Sequence, residues 1–159
     1  MREIIFRGKR IDNGEWVVGF LVPITVNCYD KGYEIIEKDG IEYDELDYYH
    51  PSFCSDRVIP ETVGQYTGLT DKNGTKIFEG DIFLIDDEYH AVVIFEDGCF
   101  RLQVHGLCGT YTEGGYCEDG GGYGIIECDP IDWFFVHDMK IIGNIHDNPE
   151  LLKGGADNG

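Results

Sequence analysis

Five short turn signals punctuate this chain: Asp12-Asn13-Gly14, Lys38-Asp39-Gly40, Asp71-Lys72-Asn73-Gly74, Glu79-Gly80-Asp81 and Glu96-Asp97-Gly98. Each stands between short runs of β-branched and aromatic residues. Asn and Gly tolerate positive φ, and Asp bonds its own neighbouring backbone, so such segments reverse a chain tightly. The runs between them have strand length and fall short of a stable helix, which constrains the fold to antiparallel hairpins.

Along the chain, Ile4 to Arg10 and Trp16 to Leu21 form a first hairpin around Asp12-Asn13-Gly14. Tyr33 to Glu37 and Ile41 to Tyr43 read as a second around Lys38-Asp39-Gly40, and Asp44 to Ser55 lacks a clear period. Residues 27–57 are therefore read as a variable insertion. Pro60 suits the first position of a short helical turn, because its missing N–H is not needed there, and Glu61 suits the positive end; Gly64 ends the turn. Tyr66 and Leu69 are expected core anchors.

Strands are expected at Thr75 to Phe78, Ile82 to Ile85, His90 to Phe95 and Cys99 to Val104, the last three joined by acidic turns that include Asp86-Asp87-Glu88. A meander of this scale, filled by alternate Ile, Val and Phe side chains, predicts a mainly β fold containing a small, partly open barrel like that of SH3 domains, with one or two short helical turns. Phe134 to Val136 and Lys140 to Ile145 are candidates to close it. Residues 105–124 hold eight glycines, and the backbone entropy they lose on ordering predicts a long mobile loop. Asn148-Pro149-Glu150-Leu151-Leu152 reads as one capped helical turn tucked on the body, and residues 154–159 as a disordered tail. A single domain over residues 1–153 is the expectation.

With 159 residues, of which 42% are hydrophobic, the chain is long enough to bury roughly 70% of its unfolded surface in one core. Its 31 acidic residues against 12 Lys and Arg give a formal charge of −19. That balance argues against unaided binding to nucleic acid, whose affinity comes from cations replacing phosphate counterions, and against anionic membrane surfaces. The apolar run Phe20 to Val26 is interrupted by Pro23 and is far shorter than the about 20 residues of a membrane helix. Glu3 and Arg7 break the first apolar stretch, so a secretory signal is not expected. The six cysteines, Cys28, Cys54, Cys99, Cys108, Cys117 and Cys128, are then expected to be reduced thiols.

No residue set commits the chain to catalysis. Ser52 and Ser55 are its only serines, and neither lies in a Gly-x-Ser-x-Gly elbow. An acidic neighbourhood raises a thiol pKa and works against a cysteine nucleophile. Cys99, Cys108, Cys117 and Cys128 lack a Cys-x-x-Cys knuckle, although His105 and Cys108 leave a local Cys and His metal pair open. Asp71-Lys72-Asn73-Gly74-Thr75 begins like a calcium loop, but its sixth and twelfth positions are Lys76 and Ile82 rather than Gly and Glu. Gly120-Gly121-Gly122 precedes no strong helix and cannot present a phosphate-binding cluster of N–H groups. No catalytic residue, metal ligand or cofactor is assigned.

Three segments have a further significance: Val58 to Ile85, the opening Met1-Arg2-Glu3-Ile4-Ile5-Phe6-Arg7, and the closing Ile142-Gly143-Asn144-Ile145-His146-Asp147-Asn148-Pro149-Glu150-Leu151-Leu152. In this order they resemble the YopX family of phage and prophage proteins. The resemblance implies an accessory protein of the bacterial cytoplasm, acting through protein contacts or self-assembly, with no family catalytic residues to carry over. Its expected partners are proteins, including further copies of itself, and not nucleic acid, membrane or a small-molecule substrate. The acidic turns Asp86, Asp87, Glu88, Glu96 and Asp97 are the candidate partner surface. Two alternatives stay open: an acidic mimic of nucleic acid that inhibits a host DNA-binding enzyme, and a small Cys and His metal-binding protein.

Overall fold

The computed structural model describes residues 3–27, 30–42, 52–85, 89–105, 111–112, 115–116 and 138–152. The chain is mostly β, with antiparallel strand pairs and two short 3-10 turns among the described residues. It divides into two compact units, Met1–Tyr66 and Thr67–Gly159.

In the first unit, β1 (Phe6–Lys9), β2 (Trp16–Asn27), β3 (Asp30–Glu42) and β4 (Ser52–Val58) lie side by side in chain order. The hairpin at Asp12-Asn13-Gly14 forms as the turn chemistry requires: Gly14 has a φ of 73° and donates to the Arg10 carbonyl at 3.0 Å. Alternate residues Val17, Ile35 and Val58 are buried together, with Phe6, Leu21 and Val63 packed against them. Gly8 faces Val58, where even a Cβ would meet the valine side chain at 3.0 Å. The start of β5 (Gly64–Thr70) pairs with β1 through Phe6↔Gln65 and Arg7↔Gly64. Before it, Pro60–Thr62 forms the expected turn, and Thr62 Oγ1 accepts the Lys9 N–H at 2.8 Å.

One sequence expectation fails here. Residues Lys38-Asp39-Gly40 do not turn the chain; β3 runs through them, paired with β2 from Asn27↔Asp30 to Gly19↔Glu37 and with β4 on its other side. The local preference for a reversal yields to two ladders, and the irregularity survives only as a register shift between Ile36 and Ile41. β2 is also longer than its pattern suggested, continuing past Pro23. Among the described residues its pairing with β1 stops at Gly19, so at Pro23 β2 has one described neighbour, β3, and a missing N–H on the other side is tolerated.

In the second unit, the end of β5 pairs with β6 (Lys76–Phe78), and β12 (Ile141–Asn144), β7 (Asp81–Ile85), β8 (Tyr89–Glu96) and β9 (Cys99–His105) form a sheet in that order. Ile77, Phe83, Ala91, Val93, Phe100, Leu102 and Val104 form its core, joined by half-buried Leu69, Met139 and Ile141. Burial of a large apolar side chain such as Phe83 or Leu102 contributes roughly 1.5–3 kcal/mol. The alternation of the meander thus sets the packing as expected. Neither sheet closes into a barrel among the described residues: β12 pairs with β7 and leaves β9 at the opposite end of the order. Phe134 to Val136, most of the glycine-rich stretch and the tail lie outside the described residues. Between β9 and β12, Tyr111–Thr112 and Gly115–Tyr116 pair as two short strands, β10 and β11. The turn at Pro149–Leu152 leaves Leu151 and Leu152 only half-buried.

Candidate functional site

β2 carries apolar residues at nearly every position from Trp16 to Ile24, a pattern that suits a strand covered on both faces. Only one face is covered. Val17, Gly19 and Leu21 point to the core of the first unit, whereas Val18 is 41% and Phe20 45% exposed on the other side. Residues directly opposite one another in a ladder share a face. This rule places Lys9 beside Trp16, Arg7 beside Val18, Ile36 and Ser55 beside Phe20, and Glu34 and Arg57 beside Val22. The exposed face is therefore a strip of Val18, Phe20, Val22, Ile24 and Ile36 with charged flanks.

Those flanks include Arg7, Lys9, Glu34 and Arg57. The Arg7 guanidinium lies 4.8 Å and the Lys9 ammonium 5.4 Å from the centre of the Trp16 ring, within cation–π range. The exposed Arg57 side chain extends toward Gly32. Glu34 lies on this face by register, and its carboxylate accepts the Ser55 hydroxyl at 2.8 Å.

Of the acidic residues predicted as a partner surface, Glu96 and Asp97 are exposed at the β8–β9 turn, whereas Asp86, Asp87 and Glu88 lie outside the described residues. Asp97 has a φ of 51° and Gly98 one of 82°, the paired left-handed conformations of a tight hairpin turn. Asp97 comes within 3.7 Å of Arg101 yet keeps 78% of its side chain exposed. Beside them Phe95 is 50% exposed and packs edge-on against Phe100, with ring centroids 5.0 Å apart. The tip of this hairpin is thus an aromatic ring followed by two carboxylates.

Two other carboxylates are structural braces. Asp71 is buried; its Oδ1 accepts the N–H groups of Asn73 at 2.8 Å and Thr75 at 2.9 Å, and its Oδ2 accepts that of Ile141 at 3.3 Å. Burial alone would raise its pKa, but these backbone donors together outweigh burial and hold the carboxyl below its ordinary 3.8. The loop that began like a calcium site spends its first oxygen ligand on its own backbone. Asp81, 1% exposed, accepts the Phe78 N–H at 2.7 Å and fixes the Glu79-Gly80-Asp81 bend. Among the described residues no group of three His, Cys, Asp or Glu side chains is placed to hold a metal ion. Cys54 and Cys99 stand as separate thiols, and Cys108, Cys117 and Cys128 lie outside the described residues. Also among them, no helix is long and apolar enough to cross a membrane.

The family model for YopX protein matches residues 6–153, nearly the whole chain. The chain belongs to the YopX family. Among solved structures it is similar to the crystal structure of protein EF1440 from Enterococcus faecalis, at 22% identity and a TM-score of 0.53, over 96% of this chain and 99% of that one. At this identity the likeness speaks for the fold alone. No curated protein matches the chain. The exposed strip on β2 had a sequence signal, the unbroken apolar run Trp16 to Leu21, but the run alone cannot say which face is covered.

Proposed function

We propose that this YopX-family protein is a phage or prophage accessory protein that works in the host cytoplasm through protein contacts rather than chemistry. The observation that carries the reading is the β2 strip, where Val18 and Phe20 stay exposed beside half-buried Val22, Ile24 and Ile36. A contiguous apolar patch on a soluble surface is unfavourable to leave wet, and such patches mark interaction sites. The apolar strip makes this face unsuited to mimic nucleic acid, which would need rows of carboxylates there.

The test is photo-crosslinking from position 20 in cells in which the phage genes are expressed. A crosslinked protein adduct at position 20, and none from exposed Lys72 on the other unit, is the expected result. Absence of any adduct at position 20 refutes the reading.

A further inference from the structure

We infer that Asn13-Gly14 is a site of spontaneous modification, where the asparagine amide is converted to aspartate and isoaspartate, while the same dipeptide at Asn73-Gly74 is held intact by Asp71. An asparagine followed by glycine is open to attack by its own chain, because no Cβ shields the glycine nitrogen. Hydroxide takes the proton of the Gly14 N–H, and the nitrogen bonds to Asn13 Cγ. The Cγ–Nδ2 bond then breaks, and ammonia leaves with its electron pair and a proton returned by water. Water next opens the cyclic imide: cleavage of the new bond gives aspartate, and cleavage of the old peptide bond gives isoaspartate, in which the chain runs through Cγ. The net reaction takes up water and releases ammonia, with no oxidation or reduction.

Asn13, Gly14, Asn73 and Gly74 are all exposed, and the space where a Cβ on either glycine would stand is open. The two turns differ in what must be released before attack. At the first, Asn13 Oδ1 accepts the Glu15 N–H at 2.9 Å, so a donor already faces the oxygen on which negative charge develops. Asn13 Nδ2 donates to Glu15 Oε2 at 2.9 Å, and the Gly14 N–H donates to the Arg10 carbonyl at 3.0 Å. Giving up this last, neutral bond slows attack by about tenfold at most. At the second, the Gly74 N–H likewise donates to the Asp71 carbonyl at 2.9 Å. Here the buried Asp71 carboxylate also grips both sides of the dipeptide, accepting the N–H groups of Asn73 at 2.8 Å and Thr75 at 2.9 Å, with Asn73 Nδ2 3.5 Å from its other oxygen. Each charge-assisted bond that has to open adds about tenfold or more, and an anion forming there meets a like charge. Conversion at Asn13 adds a carboxylate beside Asp12 and Glu15, and its isoaspartyl form lengthens by a backbone carbon the loop that joins β1 to β2.

The test incubates the full chain in mildly alkaline buffer and follows its proteolytic peptides over time by chromatography and mass spectrometry. Isoaspartyl peptides, which arise only through the imide, are quantified at each site. The remaining Asn-Gly pair, Asn158-Gly159, lies outside the described residues and is read on its own peptide. In the folded chain Asn13 is expected to convert at least about tenfold faster than Asn73. In concentrated urea, where neither turn persists, the two are expected to convert at comparable rates. Asp71→Asn is expected to speed Asn73 by about tenfold or more while leaving the Asn13 rate unchanged, which separates a local hold from general loosening. Equal rates at the two sites in the folded wild type, an Asn13 that stays intact while the urea-unfolded chain converts, or an Asn73 no faster in Asp71→Asn overturns the inference.

Discussion

Replacing Asp71 by asparagine tests whether one buried carboxylate holds the β5–β6 turn to β12. The aspartate accepts two turn N–H groups on one oxygen and the Ile141 N–H on the other. Asparagine can keep its carbonyl oxygen toward Asn73 and Thr75, but its NH2 then faces the Ile141 N–H, donor against donor. One hydrogen bond to a charged group is lost, at about 1.5–3 kcal/mol, and two more lose their charge assistance. Rehydration of the exposed turn donors returns part of this, leaving a loss of about 2–3 kcal/mol near neutral pH. In thermal unfolding, each kcal/mol corresponds to a drop of about 2–4 °C for a chain of this size. The effect must also depend on pH in one direction. The folded pKa of Asp71 is lowered below 3.8, so its stabilisation is complete above that value and disappears as pH falls through the folded value. Urea titrations of wild type and Asp71→Asn followed by circular dichroism, at pH 7 and in steps down to about pH 3, measure the difference between them. Taking the difference cancels the titration of the other carboxylates. A variant within about 0.5 kcal/mol of wild type at pH 7, or a difference that does not shrink in acid, refutes the brace.

Gly19→Ala drives a Cβ into the Ile36 backbone carbonyl of the neighbouring strand; it is expected to lose well over 2 kcal/mol or to fail to fold, whereas Gly14→Ala, with open space around its positive φ, is expected to lose about 1 kcal/mol in the same urea titration. Asp81→Ala leaves the buried Phe78 N–H without its acceptor and is expected to cost about 1–3 kcal/mol, read as a lower urea midpoint. Under brief iodoacetamide treatment with peptide mass spectrometry, exposed Cys54 is expected to be alkylated before half-buried Cys99; the reverse order contradicts the placement of β4. Elemental analysis of reduced, purified protein is expected to find zinc well below one atom per chain, since the spacing of Cys99, Cys108, Cys117 and Cys128 offers no knuckle.

What the sequence discloses about the fold follows from how local each determinant is. The Asp12-Asn13-Gly14 and Glu96-Asp97-Gly98 reversals are decided by the positive φ that Gly14, Asp97 and Gly98 adopt, and the strands beside them could be placed from their turns. The same reasoning fails at Lys38-Asp39-Gly40, where an equally good local signal is overruled by β2 on one side and β4 on the other. β2 and β3 instead stay paired out to Asn27↔Asp30. A ladder of eight paired positions between β2 and β3 outweighs a tripeptide preference, and nothing within the tripeptide reports that the ladder exists.

The candidate site divides along the same line. Glu96 and Asp97 were legible because a polar turn between two apolar strands has little choice but to face water. The β2 strip was not, because an apolar run such as Trp16 to Leu21 is identical in sequence whether one face is covered or two. Register decides: Val17 opposite Gly8, and Gly19 opposite both Phe6 and Glu37, fix the odd positions toward Ile35 and Val58 and commit Val18 and Phe20 to the outside. A one-residue slip would exchange the faces, exposing Val17 and turning Phe20 toward Val58. Gly19 resists that slip, since only a residue without Cβ fits against the Ile36 carbonyl. The same glycine that closes β2 onto β3 thereby holds Phe20 in solvent, so the exposed strip is a consequence of how the first unit packs.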